Sequence, residues 1–244
     1  MDPMLKQKED IKVAVIGTGN VGTQFARIFD TQPIPPRTLD GLPLDADLYI
    51  ICVCDSAVKG VAEKMPSVPG IVVHTTGSVP MDVLARDNIS GYGVMYPFQT
   101  ISKARPLPPS SIPLLIEGNT YQTEVELFHV ARTFGFSNIA LADSEKRRRV
   151  HLCGTFACNF TNAMIGISQK ILSESGIDVG IINPLVEETV EKLKTLPAKD
   201  AQTGPAVRKD RHTLYLHKCL LKEIGMGEEL DIYEIISDYI MDKI

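Results

Sequence analysis

Three glycines that follow the first apolar run place the strongest constraint on how this chain folds. The run Gly17-Thr18-Gly19-Asn20-Val21-Gly22 follows the apolar stretch 12–16 and opens a helical pattern over 21–30. Gly17 allows a tight turn, Gly19 lets the backbone approach a pyrophosphate, and Gly22 allows the helix to pack closely on the strand. The start of the helix then offers N–H donors and partial positive charge to phosphates. The pattern predicts a dinucleotide-binding β/α unit; the alternative is a tight strand–helix turn that binds nothing.

The chain up to residue 142 alternates short apolar runs with helical stretches. The runs are largely apolar instead of alternating, which is typical of strands covered by helices on both faces; they span 12–16, 48–54, 70–74, 91–96, 112–116 and 138–141. Helical patterns lie between several of them, at 21–30, 57–65, 81–87 and 123–134. This rhythm predicts an α/β fold with a Rossmann-like, doubly wound parallel sheet in residues 1–142. Residues 143–244 keep only helical periodicity, which predicts an all-α C-terminal domain; its stretches are 144–173, 177–196, 210–224 and 228–241.

Segment 31–47 is too rich in proline to hold the second strand and helix of a standard unit. Four of its 17 residues are proline, and proline removes ladder donors and breaks helices. We therefore predict that strand 48–54 directly follows the first β/α unit, with at most a rudimentary strand near Arg37. The position that reads the ribose, about 20 residues past the first glycine, holds Arg37 and Thr38. An arginine there favours the 2′-phosphate of NADP. The open alternative is that the shortened connection does not contact the adenine ribose of a dinucleotide.

Composition argues against several classes of partner. The 244 residues carry a net charge of -5, whereas nucleic-acid and polybasic membrane binders need a concentrated positive surface. No apolar run approaches the roughly 18 to 20 residues that span a bilayer. Of five cysteines, Cys52 and Cys54 fall in an apolar run and are predicted to be reduced core thiols. The spacing of His212 and His217 does not favour a metal site. We expect a cytoplasmic protein with a small-molecule substrate and no nucleic-acid or membrane partner.

Further motifs occur in a fixed order along the chain. They are Cys54-Asp55-Ser56-Ala57-Val58, His74-Thr75-Thr76-Gly77-Ser78, Tyr96-Pro97-Phe98-Gln99-Thr100, Asp143-Ser144-Glu145, Cys158-Asn159-Phe160-Thr161-Asn162, and the stretch 201–210 with Gly204, Arg208 and Asp210. Together they resemble a bacterial family of Rossmann-like proteins, provisionally labelled NADP oxidoreductases, whose helical C-terminal domain has no assigned function. Its wider relatives are similar to pyrroline-5-carboxylate reductase and the 6-phosphogluconate and hydroxyisobutyrate dehydrogenases. The resemblance implies NADP over the strand ends, a substrate against the helical domain, and a dimer formed by that domain. The chain departs from those relatives in its shortened second strand and helix.

An uncharged polar stripe marks the helical stretch after Asp143. Residues 150–168 contain no Asp, Glu, Lys or Arg. At about 100° per residue, His151, Thr155, Cys158 and Asn162 fall within roughly 60° of one another. Such a stripe is expected to be covered by another domain, a ligand or a second subunit, because buried polar groups need partners. His151 and Asn162 are therefore candidates to line a cleft; the alternatives are helix–helix or dimer hydrogen bonding and a partly solvated face.

Other candidate residues lie at strand ends or in the helical domain. His74 ends a strand and could shuttle a proton, or it is a capped loop histidine. Asp55 follows the neighbouring strand and could contact nicotinamide or cap a helix. Arg208 could bind a substrate carboxylate bidentately, or pair with Asp210 or Glu188. Arg147, Arg148 and Arg149 are predicted to form a solvated first helical turn.

The leading prediction is an NADP-dependent oxidoreductase that passes hydride between nicotinamide and a small carboxylate-bearing carbonyl, imine or alcohol. His151 or His74 would act as acid or base, Asn162 would orient the substrate, and Arg208 would anchor its carboxylate. The alternative is a catalytically degenerate dehydrogenase relative that serves as a ligand-binding or assembly module. The uncharged stretch 150–168 and the apolar-rich region 177–186 also predict a homodimer through the helical domain, because four helices cannot easily bury that surface alone.

Overall fold

A six-stranded sheet forms the first part of the fold. The computed structural model describes residues 6–243. The strands, which lie in chain order across the sheet, are β1 Val13–Ile16, β2 Leu48–Ile51, β3 Ile71–His74, β4 Tyr92–Pro97, β5 Leu114–Gly118 and β6 Ile139–Leu141. Strands β1 to β4 are parallel, β5 is antiparallel to β4, and β6 is parallel to β5. The predicted Rossmann-like sheet is confirmed as a mostly parallel one, in which the last two strands run in the opposite direction.

Helices cover both faces of this sheet, as the continuous apolar runs predicted. The helices of this part are α1 Asn20–Ile28, α2 Val58–Lys64 and α3 Tyr121–Thr133. One buried cluster joins the strands to α1 and α3 through residues such as Phe25 and Leu127. A second cluster joins them to α2 and to the 3-10 turn Met81–Leu84 through Val61 and Leu84. Alternate strand residues enter the two clusters because successive side chains point to opposite faces.

Segment 31–47 contains the rudimentary strand that its prolines predicted. Ile34 forms an isolated parallel bridge with Ile16. Its N–H donates to the carbonyl of Val15 at 2.8 Å, and its carbonyl accepts from the N–H of Gly17 at 2.9 Å. The chain then reaches β2 without a second helix, so the shortened unit is confirmed.

Residues 144–243 form helices and the loops that connect them. Its elements are α4 Ser144–Gly154, a π-helical turn Thr155–Phe160, α5 Thr161–Ser175, α6 Asn183–Leu193, α7 Ala198–Ala201, α8 Arg211–Glu223 and α9 Gly227–Lys243. The chain divides into two compact units between Phe160 and Thr161, later than the predicted boundary after residue 142, so α4 belongs to the same unit as the sheet. Within residues 6–243, no helix is long and apolar enough to cross a membrane.

The π-helical turn corrects the angular argument made from the sequence. A π turn bonds residue i to i+5 and so holds more residues per turn than an α-helix. The constant α-helical spacing that placed Asn162 on the same stripe as His151 therefore does not hold across Thr155–Phe160.

A buried ion pair attaches α4 to the sheet. The side chain of Arg147 is 1% exposed and is paired with Glu117. Its Nη2 also donates to the carbonyl of Val79 at 2.6 Å. Glu117 accepts from the backbone N–H of Ser144 at 3.0 Å and from its hydroxyl. The prediction of a solvated first turn is thus wrong for Arg147, because this face of α4 packs on the sheet.

We expect Arg147→Met to lower the free energy of unfolding by about 3 kcal/mol, since Glu117, whose side chain is 13% exposed, is then left without its counter-charge. The exposed neighbour supplies a control: Arg148→Met should change the value by less than about 0.5 kcal/mol. Adding Glu117→Gln to Arg147→Met should recover part of the loss. Urea unfolding measures all three, and equal stabilities of Arg147→Met and Arg148→Met would contradict a stabilising role for the pair.

Candidate functional site

The three glycines of the first loop have two different roles. Gly17 has a φ of 133°, and a Cβ there would lie 2.1 Å from the carbonyl oxygen of Cys52. A Cβ at Gly22 would lie 2.0 Å from the carbonyl oxygen of Gly17. A Cβ at Gly19, in contrast, would meet no atom of the chain within 4 Å. Gly17 and Gly22 therefore allow the loop to pack, whereas Gly19 leaves open space in front of the backbone.

A cleft of about 470 Å³ lies in front of this loop. It is bordered by the predicted phosphate loop and by the segments that follow β2 and β3; its lining residues are Gly17, Thr18, Gly19, Asn20, Val21, Pro36, Cys52, Val53, Cys54, Asp55, Thr75, Thr76, Gly77, Tyr96 and His151. Helix α1 begins at Asn20 with Gly19 as its N-cap, so its first N–H groups point towards the loop. The open approach at Gly19 and the helix terminus fit the pyrophosphate of a dinucleotide.

The cysteines beside the cleft differ in environment. Cys52 is buried, and burial raises the pKa of its thiol to about 12. Cys54 is exposed, so the prediction of two core thiols is wrong for this residue. The reason is that β2 ends at Ile51, and the chain after it forms the cleft wall.

The segment that continues from the cleft residue Pro36 meets the end of α2. Arg37 and Thr38 are exposed and directly follow the cleft residue Pro36. The Nζ of Lys64, the last residue of α2, donates to the carbonyl of Arg37 at 3.2 Å. Sequence reasoning found Arg37 but missed Lys64, because the contact joins residues that are far apart in the chain.

Tyr96 and His151 form a hydrogen-bonded pair at the other end of the cleft. The hydroxyl of Tyr96 lies 3.0 Å from Nδ1 of His151. The imidazole of His151 packs directly against Gly77, because a Cβ at Gly77 would lie 2.5 Å from Cγ and Nδ1 of that ring. The pair joins the end of β4 to α4. The sequence had suggested a cleft position for His151, and it had marked Tyr96 only as part of a motif.

The Arg147–Glu117 ion pair determines the position of His151 along the direction of β4. Glu117 pairs in register with Val94, and Tyr96 lies two residues further along β4. Two strand residues advance about 6.6 Å, and the four helical residues from Arg147 to His151 advance about 6 Å. Because residues four apart share a helix face, the Arg147–Glu117 pair brings His151 level with Tyr96.

A second cavity, of about 300 Å³, also borders this pair. Its wall combines the end of β4 with the π-helical turn; its lining residues are Tyr96, Phe98, Gln99, Thr100, His151, Gly154, Thr155, Ala157, Cys158 and Asn159. A Cβ at Gly154 would lie 2.7 Å from Cε2 of Phe98, so this glycine lets the aromatic ring pack on α4. Tyr96 and His151 line both cavities, and no Lys or Arg is among the described residues that line the second.

Charges and burial distinguish the two histidines proposed for chemistry. His74 is fully buried, and its Nδ1 accepts from the N–H of Thr76 at 3.3 Å. Burial, together with the charge of Arg147, lowers the pKa of His74 to about 4. These features favour the loop-histidine alternative, whereas His151 is exposed and lines both cavities. Asp55 accepts a hydrogen bond from the hydroxyl of Ser78 and lies on the cleft wall.

Two predicted residues belong to the second compact unit. Asn162 is exposed in the first turn of α5. Arg208 is exposed shortly before α8. Asp210 caps that helix by accepting from the N–H of Thr213 at 3.0 Å; hydrogen bonds from Thr213, with a smaller contribution from Arg208, lower the pKa of Asp210. Both the substrate-binding and the structural interpretation of Arg208 stay open.

Comparisons with known proteins give a family and a fold. Residues 112–240 match the family described as a domain of unknown function, DUF2520. The crystal structure of a "putative NADP oxidoreductase" from Bacteroides fragilis has a TM-score of 0.86 and 30% identity, covering 97% of this chain and 100% of that one. No curated protein matches the chain.

More distant structures share the fold. A protein from Thermotoga maritima has a TM-score of 0.69 and 17% identity, covering 93% of this chain and 96% of its own. A reductive aminase from Aspergillus terreus, in complex with NADPH and ethyl levulinate, has a TM-score of 0.68 and 16% identity, covering 96% of this chain and 94% of its own.

Because the glycines have different roles, we expect substitutions at Gly19 and Gly22 to change the free energy of unfolding by different amounts. We expect Gly22→Ala to destabilise the protein by about 1 to 3 kcal/mol through overpacking against the Gly17 carbonyl, although alanine favours a helix by about 1 kcal/mol. Gly19→Ala should leave stability within about 0.5 kcal/mol of the wild type. Urea unfolding of the two variants checks this, and a more stable Gly22→Ala protein would contradict the close packing.

Proposed function

The chain belongs to the family described as a domain of unknown function, DUF2520, and on that premise we propose that it is an NADP-dependent oxidoreductase. The observation that carries the proposal is the pair of cavities that meet at Tyr96 and His151, one of which is bordered by the glycine loop. The name of the Bacteroides fragilis relative supports the same activity.

The residues that would hold the cofactor lie along the cleft. The loop Gly17–Gly22 and the start of α1 would hold the pyrophosphate, because their N–H groups and the helix dipole favour anions. Arg37, with Lys64 beside it, would bind a 2′-phosphate, which NAD lacks. Asp55 and the segment 75–77 would border the nicotinamide end of the cleft. When bound, the nicotinamide supplies or accepts the hydride.

The substrate would occupy the second cavity and present its reacting carbonyl, imine or alcohol to Tyr96 and His151. We propose a small substrate that bears a carboxylate. Arg208 and Asn162, which belong to the second unit, remain the candidates for a carboxylate anchor and an orienting donor. The described residues that line the cavity include no Asp, Glu, Lys or Arg, so a carboxylate would require a cation from outside that lining. Levulinate and ethyl levulinate test this requirement, because the ester masks the carboxylate with an ethyl group and carries no charge; faster turnover of the ester would contradict the carboxylate anchor.

Calorimetry with NADP and NAD tests the proposed cofactor. We expect NADP to bind more tightly, and Arg37→Ala to weaken NADP binding about tenfold, as the loss of one charge-assisted hydrogen bond would do, with no effect on NAD. Arg148→Ala removes an exposed arginine elsewhere and serves as the control. Failure of both nucleotides to bind the wild-type protein would contradict the proposed function and favour a degenerate module.

We also propose that the protein is a homodimer in the cytoplasm. Within the second unit, Leu185 and Ile235 are 69% and 70% exposed, and Ile181 is 62% exposed. A second copy would cover such surface in a closed two-fold pair. The exposed free thiols of Cys54, Cys153 and Cys219 support a reducing compartment.

Light scattering coupled to gel filtration should give twice the chain mass of 26.8 kDa. Leu185→Glu should shift the protein towards the monomer, because a charge would be buried in the interface. Glu188→Gln, on the same helix, should leave the mass unchanged. A wild-type monomer at micromolar concentration would contradict the dimer.

A further inference from the structure

We propose that Tyr96 is the catalytic proton donor of this site and that His151 returns the proton to it. The inference rests on the proposed function, because the proton accompanies the hydride that the cofactor supplies. It assigns the direct role to a residue of the sheet and makes the histidine of α4 its partner. Neither the family description nor the names of the related proteins assign either residue.

The position of the pair carries the proposal. The phenol and the imidazole are in hydrogen-bond contact at 3.0 Å, and both line the cleft of the glycine loop and the second cavity. A group in that position can contact a substrate in one cavity and a nicotinamide ring in the other. No other residue belongs to the described lining of both cavities.

The surroundings fix the imidazole for this role. Its ring lies against Gly77, where any other residue would place a Cβ within 2.5 Å of Cγ and Nδ1. It stands one helical turn after Arg147, which is anchored by Glu117. His151 is nevertheless exposed, so its ring can exchange a proton with water.

The proton balance is simple for reduction. The substrate carbon receives the hydride, which is a proton with two electrons, and its C=O or C=N bond becomes a single bond. The substrate oxygen or nitrogen takes the proton of the Tyr96 hydroxyl as that O–H bond breaks. The imidazolium of His151 gives the proton on Nδ1 to the Tyr96 oxygen, and water reprotonates the imidazole. The net reaction consumes one NADPH and one proton for each C=O or C=N bond reduced.

Several titratable groups face the pair from the packed elements. Asp55, after β2, and the thiols of Cys54 and Cys158 line the adjoining cavities, and Arg147 on α4 acts on Tyr96 through its charge. Burial raises the pKa of Tyr96, and the charge of Asp55 raises it further, while Arg147 lowers it. The phenol therefore stays protonated at neutral pH and can donate. His74 lines neither cavity, and its Nδ1 is engaged by Thr76.

The first test uses the protein without cofactor. Nitrogen NMR of the imidazoles, with the His151 signal identified by its loss in His151→Gln, reports which ring nitrogen carries hydrogen at high pH. In the wild type we expect the neutral ring to carry hydrogen on Nε2, because Nδ1 accepts from Tyr96. Tyr96→Phe should restore a mixture of tautomers, whereas Tyr92→Phe, which removes the other hydroxyl of β4, should not. A His151 tautomer that is insensitive to Tyr96→Phe would overturn the pair.

The second test measures NADPH oxidation with ethyl levulinate and levulinate. We expect Tyr96→Phe to lower kcat by about 10²- to 10⁴-fold, as loss of a general acid does, with a smaller change in the Kd for NADP. His151→Gln should also lower kcat by more than it changes that Kd, and Tyr92→Phe should retain wild-type turnover. Unchanged kcat in Tyr96→Phe would overturn the donor role. Failure of the proposed function is recognised separately, because NADP would then not bind to the wild-type protein.

Discussion

The ion pair between Arg147 and Glu117 is the interaction on which the geometry of the candidate site depends. It is buried, it joins α4 to β5, and the carbonyl of Val79 completes it from a third segment. A buried charge is costly without its partner, so the contact permits few alternative positions of the helix. With the helix fixed there, the side chain one turn later reaches Tyr96. A structural contact thereby determines a chemical one.

The sheet supplies the second fixed component. Strands β1 to β4 end at one edge of the sheet. The glycine loop and the segments after β2 and β3 follow the ends of their strands, and Tyr96 lies in the last part of β4. The close approaches at Gly17 and Gly22 hold the loop against this edge, while the space at Gly19 stays open. The cleft is thus built by packing that any larger side chain at two of the three glycines would disturb. This explains how an incomplete Rossmann unit can keep a site that fits phosphate.

Local signals in the sequence were sufficient to predict the strands of the sheet and the shortened segment 31–47. Buried strands are continuous apolar runs, so their positions could be predicted, and prolines correctly predicted the loss of a full strand and helix in 31–47. Contacts between distant residues could not be predicted in the same way. Arg147 meets a carboxylate 30 residues earlier in the chain, and Tyr96 meets His151 across 55 residues. The π-helical turn was also hidden, because its sequence has the same apolar and polar character as an α-helix.

The crystal structure of the NADP complex tests the central claim most directly, because it locates both ends of the cofactor against the fixed parts of the fold. The account predicts that the pyrophosphate lies on the backbone of Gly19 and the first turn of α1, with the nicotinamide ring beside the Tyr96 hydroxyl and the hydrogen bond to His151 retained. A nucleotide bound elsewhere on the chain, or a nicotinamide ring distant from Tyr96, would contradict it.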